Sequence, residues 1–70
     1  MNVLVFSTSV ASPGHVQVLA PVLNSLAGRG NWNFALDDCD RILRITSGKV
    51  EPRTAISLLQ QFGFDCKELD

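Results

Sequence analysis

Phe6-Ser7-Thr8-Ser9-Val10-Ala11-Ser12-Pro13 is the stretch on which the fold turns. Upstream, Asn2 to Thr8 is short and rich in β-branched and aromatic residues, the composition of a strand. Side chains alternate across a strand, so Val3, Val5 and Ser7 share one face and Leu4 and Phe6 the other. Both faces are apolar, which points to a central strand. Downstream, Ser12 offers a hydroxyl N-cap, and Pro13 stands where its missing N–H costs nothing. A strand that passes abruptly into a capped helix is the first βα turn of a small α/β domain.

The helix that follows should run to about Ala27. Val16, Leu19, Leu23 and Leu26 recur at three- and four-residue spacing and form its buried stripe. Pro21 falls inside this pattern and cannot donate to the carbonyl of Gln17, which predicts a kink or a tightened turn. Gly28-Arg29-Gly30 ends the helix with residues suited to a left-handed cap. Asn31 to Asp37 alternates Trp32, Phe34 and Leu36 against Asn33, Ala35 and Asp37, the pattern of a half-buried strand. Asp38-Cys39-Asp40 is a polar turn, and Arg41 to Ser47 is the next strand. Together they predict a hairpin.

Gly48-Lys49 interrupts the chain again, and Glu51-Pro52 opens a second helix. Ala55, Ile56, Leu59 and Phe62 supply its apolar stripe, Gly63 is the expected C-terminal cap, and Phe64 to Leu69 closes as a short strand. The order is β-α-β-β-α-β. Two helices on one face of a four-stranded antiparallel sheet form the ferredoxin-like α+β arrangement. That topology places the first βα turn, the β2–β3 hairpin and the last αβ turn at one end. Ser9, Ser12, His15, Cys39 and Phe64 should gather at this pole.

Seventy residues make one domain, 1–70, near the small end of what folds alone. Six basic and seven acidic residues give a net charge of −1, with no Lys/Arg run, which argues against a nucleic-acid partner. No apolar run is long enough to span a bilayer, so no membrane association is expected. The N-terminus lacks the pattern of a signal peptide. Two cysteines, Cys39 and Cys66, stand far apart and in no CxxC arrangement, so a cytoplasmic, reducing setting is the expectation.

In element order and length the whole chain resembles the heavy-metal-associated domain family, the small copper-chaperone-like modules. That family carries Thr-Cys-x-x-Cys in its first βα turn. Here the matching letters are Thr8-Ser9-Val10-Ala11-Ser12, with serine in place of each cysteine, and Gly63-Phe64 matches the family's glycine and aromatic after the second helix. The resemblance implies the fold and a former metal loop at Thr8, Ser9, Ser12, His15 and Phe64. It does not bring the metal with it. Soft-metal sites of this type need thiolates, and a serine hydroxyl is a hard, neutral, weak ligand near neutral pH. Ser12 is better read as a helix cap and Ser9 as a turn residue, with no metal and no cofactor expected.

Other candidates are thin. His15, in the first turn of the first helix, could join Cys39 as a two-ligand site for a borderline metal, but a third ligand is wanting. Asp37, Asp38 and Asp40 read as a solvated turn. Cys66 reads as a small core hydrophobe. The free N–H groups at the Ser12–Pro13 helix start could meet a small anion. No nucleophile, base and oxyanion-hole set accompanies Ser7, Ser9 and Ser12, so no enzymatic activity is expected.

The sheet face away from the helices offers more. If Val3 and Val5 face the helices, Leu4 and Phe6 point outward, joined by Ile42 from the neighbouring strand. Three large apolar groups on a face that is normally polar would mark an interaction surface. The function expected is therefore that of a non-catalytic binding domain. Its partner would be another protein or a second copy of itself. The alternative is residual metallochaperone-like binding through His15 and Cys39.

Overall fold

A computed structural model of the chain describes residues 3–37, 39 and 41–69. Six elements follow one another: β1 (Val3–Thr8), α1 (Pro13–Ala27), β2 (Trp32–Ala35), β3 (Ile42–Thr46), α2 (Pro52–Gln61) and β4 (Cys66–Glu68). The strands form one antiparallel sheet in the order β2-β3-β1-β4, with β1 and β3 at its centre. The two central strands pair over five residues, from Val3 opposite Thr46 to Ser7 opposite Ile42. This is an α+β fold of four strands and two helices. Asn2, Asp38 and Asp40, placed above in a strand and in a turn, lie outside the described residues.

Both helices begin on proline. At α1 the Ser12 hydroxyl accepts the His15 N–H at 3.2 Å, which satisfies one of the unpaired donors of the first turn. The helix stays continuous across Pro21. Pro21 and Gln17 are both exposed, so water can reach the carbonyl that Pro21 does not serve. At the far end the Asn31 side chain donates to the Ala27 carbonyl at 2.9 Å, and Trp32 Nε1 donates to Asn24 Oδ1 at 2.8 Å. These two bonds close the helix and tie it to β2.

Helix α2 ends in a reciprocal pair of backbone bonds, from Phe64 N–H to Leu59 O and from Gly63 N–H to Gln60 O, each 3.0 Å. Gly63 has φ +86°, a conformation that residues with a Cβ avoid. The chain reverses there and delivers Phe64 toward the pole. Phe62, assigned above to the buried stripe of this helix, is instead 41% exposed. It occupies the cap position after the last helical turn, where the chain is already leaving the sheet.

One buried cluster holds the layers together. Phe6, Leu43 and Ile45 from the sheet meet Leu19 and Leu23 from α1 and Ala55 and Leu59 from α2, all fully buried. Each of these side chains larger than Ala55 contributes about 1.5–3 kcal/mol of transfer free energy. The expected parity of β1 is therefore reversed. Phe6 is buried in the core and Leu4 packs against it, so neither belongs to the open face. Val3, Val5 and Ser7 take that side instead. Leu plus Phe removes more apolar area from water than Val plus Val, so the bulkier pair turns inward.

On β3, Leu43 and Ile45 alternate with Ile42, Arg44 and Thr46, which keeps Ile42 on the open face as expected. Ile42 is only 6% exposed yet stands outside the core cluster, between Ser7 on β1 and Ala35 on β2.

Candidate functional site

The βα turn, the end of α2 and the start of β3 converge at one pole, and hydrogen bonds join them. Thr8 closes β1 facing the core, 9% exposed. Its hydroxyl donates to the Arg41 carbonyl at 2.7 Å and accepts the Val10 N–H at 3.2 Å. It thereby links the first turn to the hairpin and keeps a buried polar group satisfied. Arg41 itself has φ +48°, unusual for a side chain with a Cβ. The Thr8 bond holds the carbonyl of that residue.

Ser9 faces the other neighbour. Its N–H donates to the Asp65 carbonyl at 3.1 Å, and its hydroxyl accepts the Asp65 N–H at 2.8 Å. This continues the β1–β4 pairing beyond the last strand pair, Thr8 opposite Cys66. Val10, fully buried, anchors the turn from beneath.

His15 lies across the pole from α1. Its ring packs on Phe64 with centroids 5.0 Å apart at 59°, and its Nδ1 accepts the Ala11 N–H at 3.4 Å. An acceptor Nδ1 places the imidazole proton on Nε2. The Nδ1 bond goes to a backbone amide and not to a hydroxyl. Of the first-turn N–H groups of α1, Pro13 has none and Ser12 takes those of His15 and Val16. Only that of Gly14 is left over for an anion.

The structure thus brings Ser9, Ser12, His15 and Phe64 of the expected set to one end, joined by Thr8, and shows no contact of Cys39 with them. Each of the three hydroxyls is engaged within the chain. Cys39 is an exposed free thiol in the same hairpin as Arg41. Among the described residues no three His, Cys, Asp or Glu side chains lie close enough together to hold a metal ion. Cys66 is free and buried, and its burial pushes the thiol from 9.0 up to about 11. A thiol so placed stays protonated at neutral pH and packs as a hydrophobe.

Two participants were not legible in advance, Arg41 and Asp65. Both act through backbone atoms, so their side-chain identities carried no signal. The open sheet face has its own geometry. Val3, 50% exposed, and half-buried Val5 lie along β1, with Ile42 and Ala35 beside them. Arg44 stands opposite both Val5 and Asn33, and Lys67 opposite Ser7. No strand residue on this face is acidic and none is aromatic. No helix among the described residues is long and apolar enough to cross a membrane. The chain matches no protein-family model, no curated protein and no solved structure.

Proposed function

We propose that this chain is a ferredoxin-like, non-catalytic interaction domain, similar to a heavy-metal-associated module without its thiolates, that docks a partner protein on the open face of its sheet. One observation carries the reading: the solvent side of the sheet presents Val3, Val5 and Ala35, set around a nearly buried Ile42, where an antiparallel sheet normally presents polar groups. The order β-α-β-β-α-β, with β1 and β3 central, supports the ferredoxin-like arrangement. The internal bonding of Thr8, Ser9 and Ser12 supports a structural task for the former metal loop.

Arg44 and Lys67, unopposed by carboxylates within the strands of that face, favour a partner with an acidic rim. Two copies stacked face to face would set like charges together. The absence of aromatic residues removes the stacking platform on which sheet faces of this shape hold single-stranded RNA.

The test places a photoreactive phenylalanine at Val3 and, in a second sample, at Val18, which is 56% exposed on α1. Each is irradiated in an extract of the source cells. A discrete adduct from position 3, lost in the Val5→Asp variant and absent from position 18, is the expected result. Equal labelling from both positions, or none from either, overturns it. A titration with Zn(II) and then Cu(I), followed by backbone amide NMR, addresses the metal alternative. Saturable shifts confined to Thr8–His15 and Cys39 at micromolar metal would restore a metallochaperone-like role.

A further inference from the structure

We infer that the groove between α1 and α2 binds a medium-chain carboxylate, one unbranched acyl chain whose anionic head is held by Arg53. The two helices pack on the sheet and make few approaches to each other. Between them lies an open groove of about 760 Å³, within the size range of small-molecule sites. Val22 and Leu26 of α1 and Leu58 of α2 supply its apolar lining, and all three are partly buried against the core. Ser25 and Ser57 stand on its walls. Their side chains are too short to close the gap, so the apolar surface stays open to solvent. Ordinary ridge-into-groove packing between helices would have covered it.

Charge selects the occupant. Among the described residues Arg53 is the only charged side chain in the lining, and it stands in the first turn of α2. The positive end of the helix dipole adds to its field there. Glu51 and Glu68 border a separate, smaller pocket on the other side of Arg53 and do not line the groove. An anion therefore belongs at one end and an apolar body along the rest.

Length agrees. The lining on α1 runs from Val22 to Leu26, which at 1.5 Å per residue is about 6 Å, and that on α2 runs from Arg53 to Gln61, about 12 Å. An extended chain of about ten carbons covers that distance, since each C–C bond of ~1.5 Å advances it by roughly 1.25 Å. This site is separate from the open sheet face and does not depend on its role.

The experiment is an amide NMR titration of the full chain with decanoate below its micelle-forming concentration, with decanamide as the uncharged control. Saturable shifts are expected at Val22, Leu26, Thr54 and Leu58, with a Kd of about 0.1–1 mM. Each methylene added from octanoate to decanoate should tighten binding about twofold, because the groove buries the chain on one side only. Arg53→Gln should weaken decanoate about fivefold and leave decanamide unchanged. Ser57→Phe, at an exposed helical position, should fill the groove and abolish both while the spectrum stays folded. Shifts that do not saturate, shifts centred on Val3 and Val5, or equal affinity for decanoate and decanamide would each overturn the assignment.

Discussion

The two faces of one sheet, only a side-chain alternation apart, have opposite fates in this molecule. On the helix side Phe6, Leu43 and Ile45 are fully buried and the one strand hydroxyl there, Thr8, is doubly bonded. On the other side Val3 is half exposed, Val5 partly so, and Arg44 and Lys67 flank them. The first face accounts for its groups within the chain. The second leaves apolar groups that no element of the described chain covers. Stability resides on the first, and the second is the face on which we propose that a partner docks. In a chain of seventy residues this division is costly, because apolar area kept on the outside is area withheld from a small core.

Substitutions on β1 can break or sharpen this contrast. The largest effect belongs to Phe6→Ala, which should cost about 3–5 kcal/mol by leaving a cavity in the core. Val5→Ala, one residue away on the open face, should cost about 1 kcal/mol or less. Urea denaturation of both variants checks the pair, and similar losses would mean that the open face is part of the core.

Next comes a pH effect at Cys66. Its folded-state thiol ionises near 11 and its unfolded thiol near 9.0, so the folded state retains a proton that the unfolded state gives up. The contribution is complete below about pH 9 and is lost as pH rises toward 11. By then unfolding is favoured by roughly 2–3 kcal/mol relative to neutral pH. Chemical denaturation between pH 8 and 11 should show this slope, and Cys66→Ala should flatten it. An unchanged slope in the variant would assign the alkaline sensitivity to other groups.

A smaller effect than that of Phe6→Ala is expected from Thr8→Val, which keeps the shape and removes the hydroxyl. Val10 N–H and Arg41 C=O would each lose a partner, for about 1–3 kcal/mol in all. Amide exchange should quicken at Val10 ahead of the core strands. If exchange stays slow there, the Thr8 bond is not what fixes the turn.

Much of this architecture was legible in the chain itself. The Ser12-Pro13 start, the Gly28 and Gly63 stops and the period-2 runs around Phe6, Phe34 and Ile45 are local signals. Local backbone preferences produced the elements where those signals lie. The strand bounds came out shorter than the apolar runs. Leu36 and Leu69 extend the pattern but lie past the last ladder pairs. The gathering of Thr8, Ser9, His15 and Phe64 at one pole was also legible, because it follows from the order of elements. The contacts made there were not. Arg41 and Asp65 enter through their carbonyl and amide groups, which every residue possesses.

The side of β1 that faces the helices is a different kind of question. Alternation shows that Leu4 and Phe6 lie together and that Val3 and Val5 lie together. It does not choose between two apolar sets. Bulk could have decided it, since Leu4 and Phe6 bury more area than two valines. The polar neighbours Arg44 and Thr46 already placed Ile42 on the solvent side. The slot between the helices was wholly invisible, because Val22, Leu26 and Leu58 read as ordinary apolar positions until two helices are set apart on a sheet.

By itself, then, the sequence determined the order and kind of the elements and where the helices start, through caps, glycines and periodicity that act within a few residues. Only the tertiary structure decided which face became core, which backbone groups met at the pole and where apolar surface remained uncovered. Those outcomes depend on competition for buried area among segments distant in the chain, and no local pattern records the result.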